Sequence, residues 1–141
     1  MHRFTVLSIV LLLGSCAAAP FSKSAAHVVV PANQLPGTLG QSGWSPTEEQ
    51  IASCEASIAQ ALARKKHDLG SYHLRLGGVV RNGGRHIVGI AADKGVGAHY
   101  LQPVSEETIV LPVFGGGEAF FSFDYDLDRG KVVTLEFNAA L

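Results

Sequence analysis

The sequence predicts an α+β domain in which one N-terminal helix packs across a four- to five-stranded antiparallel sheet, in two layers. Three observations predict it. Residues 45–66 carry apolar side chains at helical spacing behind a capping signal. Residues 72–92 hold an alternating run, Tyr72, Leu74 and Leu76, and a returning strand, His86 to Ala92, on either side of an Asn82-Gly83-Gly84 turn. Residues 115–138 repeat that layout, with Phe121, Phe123 and Tyr125 on one parity and Val133, Leu135 and Phe137 on another.

The chain begins with targeting features. Met1-His2-Arg3 is a short basic start, Phe4 to Leu13 is an apolar run, and small residues follow from Gly14 to Ala19. That is the layout of a secretory signal over residues 1–19, too short to span a bilayer comfortably as a permanent helix. The string Leu13-Gly14-Ser15-Cys16 resembles a bacterial lipobox, which implies lipidation at Cys16. Acyl chains there would hold the protein to a membrane with about 0.8 kcal/mol per buried methylene. Cleavage near Ala17 or Ala19 and an uncleaved anchor are the alternatives. Pro20 argues against a cut directly after Ala19. Ala17 stands where inner-membrane lipoproteins commonly carry aspartate, so the resemblance implies the outer membrane or periplasm.

Residues 20–44 read as a tether. They hold Pro31, Pro36 and several small residues with little charge. Val28-Val29-Val30 is their one apolar run, and an edge strand is the alternative there.

The folded domain is expected over residues 45–141. Ser45 is expected to cap the helix, with Pro46 in the first turn and Glu48 bonding back. Ile51, Cys54, Ile58 and Leu62 form the apolar stripe, with Ala61 beside it. Arg64, Lys65 and Lys66 are expected in the last turn, where cations complement the helix dipole, and Gly70 as the terminating cap. Strands are expected at Tyr72 to Leu76, His86 to Ala92, Thr108 to Phe114, from Phe120, and up to Phe137. Pro112 marks the third as an edge or bulge. Asp93 to Val104 is expected to be a loop.

With 47% hydrophobic residues the chain can bury a core, although the first twenty residues contribute part of that figure. The net charge of −1 and the absence of a basic stripe exclude a nucleic-acid-tracking surface.

Tyr72, Gly78, Arg81, Gly83, Arg85 and Ile87 precede Gly116-Gly117, Phe120, Tyr125-Asp126, Gly130, Leu135 and Phe137-Asn138. Over roughly the last seventy residues this pattern is similar to that of a group of small secreted or lipid-anchored bacterial proteins. Relatives in that group carry a Cys-Asp pair before the glycines, where this chain has Phe114 and Gly115. The resemblance implies location and fold and brings no assigned activity.

Candidate chemistry is sparse. Cys54 lies on the apolar helix stripe, which suits packing rather than a reactive thiol. His73 and His86 fall on two strands of one hairpin. A turn at Asn82-Gly83 sets His86 against Val79 or Val80, on the order of 20 Å from His73, too far to share a metal. His99, beside Tyr100, is alone in its loop. Asp124, Asp126 and Asp128 alternate like the start of a calcium loop, but Gly130 comes one place late and Leu135 stands where the last acidic ligand belongs. Local backbone bonding explains the same aspartates. Gly77-Gly78 and Gly115 to Gly117 lack the lysine and helix that phosphate cradling needs, and read as turns or bulges. There is no Gly-x-Ser-x-Gly elbow and no Gln-x-Val-x-Gly loop of the cystatin type.

The expected function is therefore a non-enzymatic binding module in the cell envelope, without catalytic residue, metal or cofactor. Its expected partners are the membrane, through the lipid anchor, and a protein or small molecule. A groove beside the sheet, or the edge near Pro112, is the expected contact region. The alternative is a hydrolytic enzyme, which requires at least two of His73, Arg75, His99, Glu118 and Asp124 to converge in a pocket.

Overall fold

The computed structural model describes residues 25–35, 41–96 and 115–140. Among the described residues its α+β architecture has one α-helix, α1 (Glu48–Ala63), against a mixed sheet. Among the described residues the strands are β1 (Ala26–Val29), β2 (Gln41–Trp44), β3 (Tyr72–Arg81), β4 (Gly84–Asp93), β5 (Phe120–Asp126) and β6 (Lys131–Phe137). Their order is β1-β3-β4-β5-β6. Since β4 pairs with β3 along its whole length, β2 must join β3 on the same side as β1.

The sheet departs from expectation in two ways. The sheet is mixed rather than antiparallel, because β1 runs parallel to β3, with Ala26 opposite His73 and Val29 opposite Leu76. The segment read as a tether supplies both β1 and β2. The reason is non-local: β3 is ten residues long and its second edge offers unpaired backbone that short flanking runs can satisfy. Lipidation at Cys16, the strand at Thr108 to Phe114, the Pro112 edge and His99 lie outside the described residues.

The helix starts two residues later than expected. Thr47, not Ser45, is the N-cap. Its hydroxyl accepts from Gln50 N–H at 3.3 Å, and Gln50 Oε1 accepts from Thr47 N–H at 2.9 Å. Thr47-x-x-Gln50 is a capping box as good as Ser45-x-x-Glu48. Trp44 decides between them, because it is held to Gly78 in β2 and residues 45–47 must carry the chain from sheet to helix. The helix also ends early, at Ala63, with Arg64 as its C-cap. Lys66 takes the left-handed conformation at φ 64. Its N–H donates to Ala63 O and that of His67 to Leu62 O, both at 3.0 Å, which closes a Schellman turn. The cations therefore follow the last turn rather than fill it. Gly70 lies in a 3-10 turn, Leu69–Ser71, capped by Asp68.

The apolar stripe holds: Ile51, Cys54, Ile58 and Leu62 are all buried. They join Tyr72, Leu74, Leu76, Ile87, Ala91, Phe121, Phe123 and Tyr125 in one core, edged by Leu135 and Phe137. The hairpin register is as expected, with His86 opposite Val79 and Asn82 and Gly83 at positive φ in the turn. Gly77 and Gly78 are neither turn nor bulge but mid-strand. A Cβ on Gly77 would lie 2.7 Å from the Leu35 side chain, and one on Gly78 would lie 2.4 Å from Trp44 O. Both absences of a side chain let the N-terminal segment pack flat on β3.

Candidate functional site

The sheet has two unlike faces. The α1 face is apolar. The register places His73, Arg75, Gly77, Val79 and Arg81 of β3 on the opposite face, with His86, Val88, Ile90 and Ala92 of β4 and Ser122, Asp124 and Asp126 of β5. A polar cluster forms there across three strands. His86 Nδ1 is 2.6 Å from Asp124 Oδ1, and Arg81 bonds to the other carboxylate oxygen. His86 and Asp124 are both buried.

The bond at Nδ1 has the form of a carboxylate orienting an imidazole. A carboxylate that fixes an imidazole by Nδ1 leaves Nε2 to act on something else. Among the described residues no hydroxyl or thiol is hydrogen-bonded to His86 Nε2. Cys54 belongs to the opposite, apolar face, where burial first, then the Glu55 and Asp124 charges, push its thiol well above the ordinary value. What the described cluster does is join strands β3, β4 and β5 by a doubly engaged carboxylate.

Of the dispersed candidates, His73, Arg75 and Asp124 share this face. Glu118 lies elsewhere: its carbonyl accepts from the Tyr72 hydroxyl at 2.9 Å, and its carboxylate is 3.7 Å from His67 Nε2. Burial first, then Asp93 and Glu118, raise the Tyr72 hydroxyl above its usual range. The alternating aspartates are each engaged by protein donors. Asp126 accepts from Arg129 N–H at 2.9 Å, and Asp128 accepts from Arg85 N–H at 3.0 Å and from its guanidinium. The Arg85 bonds hold Asp128 below the ordinary carboxylate range. Among the described residues no group of three or more His, Cys, Asp or Glu is placed to hold a metal.

Sequence reasoning missed a third cluster. Glu55 is buried on α1 and meets His27 of β1 at 2.9 Å, while Glu48 lies 3.6 Å from the other ring nitrogen. Period alone hid it, because Glu55 sits beside Cys54 and Ile58 where the stripe widens toward β1.

An open groove among the described residues runs between α1 and β6. It has a volume of about 350 Å³ and is lined by Ser57, Gln60, Ala61 and Arg64 of α1 facing Lys131, Val132, Val133 and Leu135 of β6, with Gly130 before them. The helical residues fall at i, i+3, i+4 and i+7, a single stripe. Val133 is 50% exposed. The Asn138 N–H donates to Phe120 O at 3.0 Å. With Phe121 opposite Phe137 and Ser122 opposite Glu136, the ladder's bonded positions are then Glu136 and Asn138. Leu135 accordingly turns its N–H and C=O away from β5. Among the described residues β6 pairs only with β5.

Among the described residues no helix is long and apolar enough to cross a membrane. Comparison with protein-family models, with curated proteins and with solved structures finds no match.

Proposed function

We propose that this is an exported cell-envelope protein, lipid-anchored at Cys16, whose α+β domain is a non-enzymatic binding module. The groove between α1 and the outer strand β6 carries the binding part of this reading. It combines a strand edge with no partner among the described residues, an exposed apolar residue and polar helix side chains, which is what recognition of another chain requires. The signal layout and Leu13-Gly14-Ser15-Cys16 support export and anchoring. The test is a pull-down from detergent-solubilised envelopes with the full chain. A stoichiometric partner lost on Val133→Asp supports the module; recovery that ignores Val133→Asp refutes the groove as its surface. For the anchor, Cys16→Ser releases the protein from the membrane or blocks maturation. An unchanged membrane fraction and an unchanged palmitate label would contradict lipidation.

A second reading, a hydrolytic enzyme, is favoured by one observation, the His86–Asp124 bond on the face that also carries Arg75 and His73. It requires turnover of chromogenic ester or phosphate substrates that His86→Gln abolishes without lowering the melting temperature. Equal turnover by both proteins removes it.

A further inference from the structure

Resting on the binding-module reading, we infer that the partner is a protein that presents an extended, carboxylate-bearing segment, which adds as a strand to the edge of β6 beneath α1. Two independent features specify it. The first is geometric. β6 is a seven-residue outer strand, whereas β1 and β2 at the other side of the sheet have four residues each. It is thus the long edge among the described residues, and Leu135 offers it a donor and an acceptor at the spacing that an added strand uses. The Ser57–Gln60–Ala61–Arg64 stripe forms a second wall, so an incoming strand would bond to β6 on one side and meet side chains on the other.

The second feature is charge. Arg64 and Lys131 both line the groove, and none of its lining residues is acidic. Neither cation forms an ion pair among the described residues, whereas Arg81, Arg85 and Arg129 each hold an aspartate. Lys65, Lys66 and Arg129 continue the positive sign just beyond each lining element. An incoming carboxylate gains from this field, and an incoming lysine is repelled.

The test uses the isotopically labelled full chain and two end-blocked octapeptides, one alternating threonine with glutamate and one alternating threonine with lysine. Amide hydrogen exchange at Leu135 is read with each. The expected result is at least tenfold slower exchange with the glutamate peptide and no change with the lysine peptide at equal concentration. The double variant Arg64→Glu/Lys131→Glu, both changes being at exposed or groove-lining positions, should exchange the two preferences. Equal protection by both peptides, or by neither, overturns the inference. Protection of Leu135 that rises with protein concentration in the absence of peptide also overturns it, by assigning the edge to a second copy. If envelopes yield a Val133-dependent partner while Leu135 stays unprotected by the glutamate peptide, the binding module survives and the strand-addition inference fails. If neither is seen, both fail.

Discussion

Replacing Phe123 by alanine tests the core that positions the groove. Phe123 is 3% exposed, in β5, an inner strand between β4 and β6. Its ring covers Gly89: a Cβ built there would lie 2.6 Å from Cζ. The ring centroid is 6.3 Å from that of Phe121. No side chain on Gly89 can fill the space the ring leaves, so the cavity cannot collapse from that side. Deleting such a ring costs about 3–5 kcal/mol. A domain of this size has on the order of 5–15 kcal/mol in total, so the variant should be marginal. Its melting temperature should fall by roughly 10 °C or more. The chain has one tryptophan, Trp44, whose indole donates to Val79 O at 3.1 Å, so fluorescence during urea unfolding reports on the same domain. Gly89→Ala is a companion. Its Cβ would lie 2.3 Å from Arg75 O as well as against the ring, so it should destabilise by about 1–3 kcal/mol or more. The double variant should cost less than the sum of the two, because removing the ring relieves one of the two clashes. A Phe123→Ala melting temperature within a degree of the parent would show that the ring does not face α1, and strict additivity would show that it does not cover Gly89.

Asp124→Ala should destabilise by about 3 kcal/mol, since it strands Arg81 and a buried His86 without their shared carboxylate; equilibrium urea unfolding reads it. Cys54 gives an alkaline signature. Its folded thiol is held above the ordinary value of 9.0, so the stability tied to its neutral form is complete below the unfolded pKa and is lost as pH rises toward the folded one. Above about pH 9 this residue should contribute a fall of roughly 1.4 kcal/mol per pH unit, and Cys54→Ala should flatten the curve by that amount. Lys66→Gly should raise stability by up to about 1 kcal/mol, because glycine adopts the left-handed turn at no steric cost; a lower denaturation midpoint would show that the lysine side chain contributes more than its backbone strain removes.

The helix stripe was legible because Ile51, Cys54, Ile58 and Leu62 follow a local period that burial then enforces. The Asn82-Gly83 turn was legible for the same reason: its two positive φ values are a local demand, and they set His86 against Val79. What was illegible depends on pairing between distant strands. Val28 to Val30 carries no signal that distinguishes tether from strand until β3 presents its edge. Asp124 and His86 are 38 residues apart, and their contact follows from the β4–β5 register, which no short turn dictates. The sequence pattern carries no signal for the place of the α1–β6 groove. Which edge it follows depends on β6 being outermost among the described residues and on the C-cap residue Arg64 lying beside it.

Among the described residues β6 pairs only with β5, which leaves its outer edge bare. The free protein tests it through native-state amide exchange along residues 134–138. An open edge leaves the Leu135 amide to solvent while Glu136 and Asn138 stay bonded to β5, so Leu135 should exchange at least tenfold faster than both. A Leu135 amide as slow as that of Glu136 would mean that the edge is already occupied within the chain, and the proposed contact surface would not exist.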